Sequence, residues 1–257
     1  MDYSHLLRSD ISEEEILDKI AGRDWHHTIP ITDQISTEGF VHLENQMLKI
    51  DYLPNDLSNK TVLEIGPKHG FYSIEAMNRN AESVTAIDIE PERAEVYDIL
   101  NRIFDINVEL VVGDVMDCEF SDTFDVVICF GVLHYIEDQL EFLDKVTCLT
   151  DETLCIEHPI TPSLFDRSLR YYPDRDSTFR IYRRLIDSYA RYHAPIPSKR
   201  WIEEEISHRG FEIVDWDTHV GVILQNKFPN ANAIPVPHRF LPCRYIAKTE
   251  RVASDNS

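Results

Sequence analysis

Over the first sixty positions apolar residues recur with helical spacing, and from Lys60 the pattern changes. Ile16, Leu17 and Ile20 form one stripe, preceded by Ser12 and Glu15 at capping-box spacing and ended by Gly22. A loop holding Trp25-His26-His27-Thr28-Ile29-Pro30 leads to a second helical stretch over Leu43 to Tyr52, which Pro54 and Asn55 break. Beyond Lys60, short apolar runs alternate with longer amphipathic segments, which predicts βαβ units on a parallel sheet. The predicted strands are Thr61 to Ile65, Ser83 to Asp88, Val108 to Val112, Phe124 to Phe130 and Thr153 to Glu157. Helices fill the gaps near Phe71 to Arg79, Glu92 to Arg102 and Glu137 to Cys148. Right-handed crossovers place the C-terminal ends of such strands on one edge, where open α/β folds bind ligands.

After Pro159 the alternation stops. Pro162, Pro173, Pro195 and Pro197 punctuate an Arg-rich stretch with a predicted helix over Ser177 to Tyr192. Ser198 is placed to cap a further helix that Gly210 ends, and Phe211 to Trp216 and Arg244 to Lys248 read as two last strands able to pair as a hairpin. The whole is an α/β protein with a seven-stranded sheet, mostly parallel with an antiparallel C-terminal hairpin. It divides into an N-terminal helical cap over 1–58, a main domain over 59–249 with an inserted lid at 159–200, and a disordered tail over 250–257.

Composition narrows the function classes. The chain has 257 residues, 43% of them hydrophobic, enough for one large domain with additions. It has no apolar run of about 18 residues and no basic-then-apolar start, so a soluble, cytoplasmic protein without a membrane span is expected. The cysteines, Cys118, Cys129, Cys148, Cys155 and Cys243, include no C-x-x-C pair, and buried thiols rather than a metal or redox centre are expected. A formal net charge of −21 repels phosphate backbones and disfavours nucleic acid as a partner. The stretch from Arg167 to Arg200, which includes Arg180, Arg183 and Arg184, is basic by contrast.

Three acidic residues stand at predicted strand ends. Glu64 is followed by a turn through Gly66 and Gly70, glycines that let a backbone approach a ligand closely, although tight packing alone also uses them. Asp88 ends the second strand, where a carboxylate accepts hydrogen bonds from both hydroxyls of a ribose. Asp114 ends the third, in reach of an adenine edge. Each taken singly also suits a helix N-cap.

The segments LEIGPKHGFYSIEA, TAIDIE, VGDV and FDVVICFGVLHYIED resemble the successive cofactor motifs of class I S-adenosylmethionine-dependent methyltransferases, with their Rossmann-like sheet. The resemblance implies S-adenosyl-L-methionine as cofactor, with Glu64, Gly66 and Gly70 beside its methionine part and Asp88 and Ile89 at the ribose. It further places Asp114 with Val115 near the adenine, and Phe130 and Gly131 along the cofactor from the fourth strand. Lys68 replaces the middle glycine of the usual turn, a departure at the cofactor's amino acid end. WHHTIPI, ISTEG and IPSKRWIEEEISHRGFEIVD are similar to the group related to tRNA wobble-uridine methyltransferases, which also includes glycan and natural-product enzymes. The basic run that precedes the first strand in the wobble-uridine enzymes is here ENQMLKIDYLPNDL, so the ordinary cofactor is expected.

Methyl transfer is an in-line displacement, and a hydroxyl acceptor gains from a base. His134 and His158, after the fourth and fifth strands, are the candidates, each with packing as its other reading. Trp25 and His27 are placed to close the pocket. Arg180, Arg183 and Arg184 suit an anionic acceptor such as a uronic acid or another small-molecule or glycan substrate, unless they only neutralise the acidic body. No spacing of His26, His27, His134 and His158 suggests a metal. The rival functions are a wobble-uridine-type tRNA methyltransferase and a non-catalytic cofactor-binding regulator.

Overall fold

A computed structural model describes residues 3–160, 170–171, 196–220 and 243–253. They form two compact units, Met1–Ile128 and Cys129–Ser257. The seven-stranded sheet has the strand order Val108–Val112, Ser83–Asp88, Thr61–Ile65, Phe124–Phe130, Thr150–Ile160, Cys243–Arg251, Phe211–Val220.

In the first unit, α1 (Glu13–Ile20) starts at Ser12, whose hydroxyl accepts the Glu15 N–H, as the capping spacing predicts. Helix α2 (Leu43–Ile50) follows the cap loop. Strands β1 (Thr61–Ile65), β2 (Ser83–Asp88) and β3 (Val108–Val112) pair in parallel, and β4 (Phe124–Phe130) joins β1 on its other side, also in parallel. Helices α3 (Phe71–Asn78) and α4 (Arg93–Ile103) are the crossovers. Val62, Leu63, Ala86, Val127 and Ile128 are all buried, which is why these strands read as continuous apolar runs. Helix α1 packs on α4, where Arg102 binds both carboxylate oxygens of Glu15, at 2.8 and 3.2 Å.

The cap loop between α1 and α2 is a knot of main-chain pairing. Gln46 accepts the Thr28 N–H at 3.1 Å and donates to the Thr28 carbonyl at 2.8 Å, while Thr37 Oγ1 accepts from Ile29 N and donates to the His27 carbonyl. Gly39 closes this knot, since a Cβ there would run into the His27 carbonyl group and the Thr28 nitrogen. Gly39→Ala is therefore expected to cost about 2–3 kcal/mol in urea unfolding. A loss under about 0.5 kcal/mol would mean that the cap is not packed this way.

In the second unit, a 3₁₀ turn at Leu133–Tyr135 and α5 (Gln139–Cys148) precede β5 (Thr150–Ile160). A small antiparallel pair, β6 (Arg170–Tyr171) and β7 (Ile196–Pro197), falls in the stretch read as an insertion and has no signal of its own in the sequence. Helix α6 (Lys199–His208) begins at Ser198, which accepts the Trp201 N–H as its cap. Strands β8 (Phe211–Val220) and β9 (Cys243–Arg251) form the antiparallel hairpin, and β9 pairs antiparallel with β5.

The strands β5, β8 and β9 run longer than their apolar cores, because mutual pairing carries polar residues such as Glu250 into the ladder. Glu250, expected to open the tail, is thus a strand residue. Cys129 and Cys155 are buried as expected, but Cys148 is exposed at the end of α5. The expected helix over 177–192 and the residues 254–257 lie outside the described residues.

Candidate active site

The parallel register brings the predicted strand-end residues to one edge. Glu64 pairs with Ala86 and Asp88 with Val112, and each ladder runs one residue further: Gly66 N–H donates to the Ile87 carbonyl and Gly113 N–H to that of Asp88, both at 2.9 Å. The turn after β1 is held by three successive positive-φ stations, Gly66 at +69°, Lys68 at +55° and Gly70 at +75°. Lys68 thus adopts the left-handed conformation that a glycine takes readily. Gly70 is fixed twice, because a Cβ there would lie 2.6 Å from Leu100.

The three acids differ in environment. Glu64 is buried and turned away from solvent into α3, where it accepts the Ser73 hydroxyl, itself 2.9 Å from the Tyr97 hydroxyl. Desolvation raises its pKa to about 7, against the opposing pull of Ser73. Asp88, only 6% exposed, accepts the Glu90 N–H on Oδ1 at 3.0 Å, whereas Oδ2 has the Lys68 N–H at 3.4 Å and Arg93 Nε at 3.9 Å. Burial raises its pKa. Asp114 is exposed and accepts the Met116 N–H at 2.9 Å, an Asx turn beside buried Val115. Ile89, next to Asp88, is 68% exposed, an apolar side chain left uncovered at the tip of β2.

The cap motif reaches this turn through a residue that sequence reasoning passed over. His69 accepts the His26 N–H on Nδ1, and the Trp25 ring meets its ring edge-on at 5.3 Å. Trp25 is buried and donates its indole N–H to the Ile20 carbonyl, so it anchors the cap. His27 is buried against Phe71 and Tyr72. The available signal was an imidazole standing in a glycine turn, downstream of a Trp-His-His run.

In the second unit Phe130 is buried, and Gly131, at φ +76°, donates its N–H to the Glu157 carbonyl at 2.7 Å. Glu157, fully buried, is held by both nitrogens of the Arg244 fork, a pairing with no counterpart in the local pattern of either strand. His158 is also fully buried. Its Nδ1 lies 2.8 Å from the Pro159 carbonyl, which fixes the proton there and leaves Nε2 as a lone pair without a hydrogen-bond partner among the described residues. His134 is buried in the 3₁₀ turn against Tyr135. Arg180, Arg183 and Arg184 lie outside the described residues. Among the described residues no group of His, Cys, Asp and Glu is placed to hold a metal, and no helix is long and apolar enough to cross a membrane.

Burial drives the pKa values of His26, His69 and His158 down to about 4. Folding therefore favours their neutral forms, and the stability they contribute is complete above pH 6.5 and lost as the pH falls toward 4. Melting temperatures by circular dichroism are expected to drop steadily from about pH 6.5 to about 4.5, for a loss on the order of 2 kcal/mol per histidine. A midpoint that stays level across that window would contradict the buried, neutral histidines.

The arrangement around Asp88 fits an adenosyl group: a sunken carboxylate with capacity to accept, glycine-type turns on either side, and an exposed apolar residue next to it. Residues 62–151 match the model of a methyltransferase domain. The chain is 28% identical to a mitochondrial ubiquinone biosynthesis O-methyltransferase of Schizosaccharomyces pombe, over 65% of each chain. It is 29% identical to a tRNA U34 carboxymethyltransferase of Wolinella succinogenes, over 35% of this chain and 33% of that one. The chain thus spans less than two thirds of the length of these curated relatives. The crystal structure of the N-methyltransferase NodS from Bradyrhizobium japonicum WM9, in complex with S-adenosyl-L-homocysteine, superposes with a TM-score of 0.53 at 13% identity, covering 93% of this chain and 97% of that one. These likenesses support a class I S-adenosylmethionine-dependent methyltransferase domain over residues 62–151, with similarity to the wobble-uridine group over part of the chain.

Proposed function

We propose that this protein transfers a methyl group from S-adenosylmethionine to the hydroxyl of an anionic small molecule or glycan, a uronic acid being the favoured type. The observation that carries the reading is Asp88, a buried carboxylate at the tip of β2 whose Oδ2, among the described residues, meets donors only at 3.4 and 3.9 Å. A diol that donates to it gains a charge-assisted bond with little loss of existing ones. The Gly66 to Gly70 turn would hold the methionine part, Asp88 and Ile89 the ribose, and Asp114 with Val115 the adenine edge. Phe130 and Gly131 are assigned to the cofactor from β4. Glu64 acts through Ser73 and the turn rather than by direct contact. When bound, the cofactor supplies an electrophilic methyl on a sulfonium.

His158 is assigned as the base. Its Nδ1 proton is committed to the Pro159 carbonyl, so Nε2 can take a hydroxyl proton. His134 is the alternative base, and Trp25 and His27 are assigned to the acceptor side with Arg180, Arg183 and Arg184. The anionic acceptor rests on the Arg-rich stretch, since guanidinium groups recognise carboxylates bidentately. The test supplies methyl-labelled cofactor with fractionated cell extract and with free uronic acids. Label in a sugar acid or glycan fraction supports the reading. Absence of label from every fraction, in protein that binds the cofactor, would favour a regulatory role instead.

A second reading, methyl or carboxymethyl transfer to tRNA, is favoured by the likeness to the Wolinella succinogenes enzyme and opposed by the net charge of −21. Label in RNA, with binding that weakens steeply as salt rises, would select it.

A further inference from the structure

We propose that His69 and Arg93 are positioning residues that tie the filling of the Asp88 site to the N-terminal cap; the proposal rests on the cofactor reading above. His69, 8% exposed, presents both ring nitrogens to neighbours. Nδ1 accepts the His26 N–H, and a neutral imidazole carries one proton, so that proton is on Nε2. Nε2 lies 3.2 Å from Nη1 of Arg93, which places a donor against a donor. The same guanidinium has Nη2 on Glu90 and a buried Nε with no hydrogen-bond partner among the described residues, 3.9 Å from Asp88 Oδ2. Arg93 therefore stands between His69 and the carboxylate with donors unmet on both flanks.

A ribose hydroxyl that donates to Asp88 still has lone pairs, and Arg93 Nε is the buried donor beside it. Turning the guanidinium toward that oxygen satisfies Nε and removes the opposed donor at His69. The imidazole then keeps the His26 N–H on Nδ1 with no donor opposing its Nε2. Trp25, edge-on to His69, and the knot from Thr28 to Val41 belong to the same cap loop, so the segment tightens as one piece. His69 touches no reacting atom and acts through Arg93 and the cap.

The test combines hydrogen exchange by mass spectrometry on peptides covering 25–41 with calorimetric titration of S-adenosylhomocysteine into the full chain. In the wild type, S-adenosylhomocysteine is expected to slow exchange in this segment at least about fivefold. Arg93→Met is expected to bind it several-fold more weakly and to lose the exchange response. His69→Asn keeps an acceptor for the His26 N–H but lacks the reach to Arg93, so its cap is expected to stay protected with and without ligand, whereas in His69→Ala it exchanges fast in both states. Clear binding by the wild type with unchanged exchange over 25–41, or a full response in Arg93→Met, would overturn the proposal while leaving the cofactor reading standing. Folded wild-type protein that gives no binding heat at all would remove the cofactor reading itself, and this inference with it.

Discussion

Asp88→Ala is expected to weaken S-adenosylhomocysteine binding ten- to a hundredfold while the protein stays folded. A hydrogen bond to a charged group contributes about 1.5–3 kcal/mol, and roughly 1.4 kcal/mol is one decade of affinity. The effect on stability should be small, because in the ligand-free protein Asp88 has one good bond, from Glu90 N–H at 3.0 Å, and its burial already disfavours the charged form. Removing it forfeits that turn bond and the loose attraction of Lys68 and Arg93, but also removes a desolvation cost. Asp88→Asn retains shape and one acceptor oxygen and is expected to fall between wild type and Ala. Calorimetry and urea unfolding on the same preparations separate the two effects. An affinity within twofold of wild type in Asp88→Ala would withdraw the ribose assignment.

Arg244→Met is expected to cost about 3–5 kcal/mol of stability, a larger loss than that of Gly39→Ala in the cap. Glu157 has no exposed surface, and the Arg244 side chain that pairs with both its oxygens is 14% exposed. Truncating the arginine takes two charge-assisted bonds from a carboxylate with no exposed surface, which favours its protonation or opening of the strand. Replacing both members is a different matter, since a neutral pair of similar volume leaves no uncompensated charge. The double variant Glu157→Gln with Arg244→Met should therefore recover more than half of the loss. Urea unfolding of the single and double variants gives the coupling directly. A single-variant cost below about 1 kcal/mol would show that water reaches Glu157.

The Glu157–Arg244 pair joins side chains 87 positions apart, and this marks where sequence reasoning stopped. The strands β1 to β4 fall where the apolar runs place them, and Ser12 and Ser198 cap helices as their spacing implies. The acids at the tips of the first three strands were legible for the same reason: in parallel βαβ units the end of an apolar run is the ligand edge. Their roles were not equally legible. Glu64 looks from its position like a ligand contact, yet its side chain is spent on Ser73 in α3. Lys68 looks like a break in the glycine pattern, yet its backbone adopts φ +55°.

Arg93 and the Glu157–Arg244 pair carried no local signal, and His69 only that of an imidazole in a glycine turn. A periodic pattern reports which face of an element is dry, not which distant group a side chain meets. The order and bounds of the main elements, and the acidic, glycine-turned edge, follow from the amino-acid order alone, because hydrophobic period, caps and crossover handedness are local properties of the chain. Which carboxylate stays able to accept a ligand, which imidazole tautomer is held and how the cap is fastened were settled by the folded arrangement. Those outcomes depend on desolvation and on donor–acceptor matching between residues dozens of positions apart.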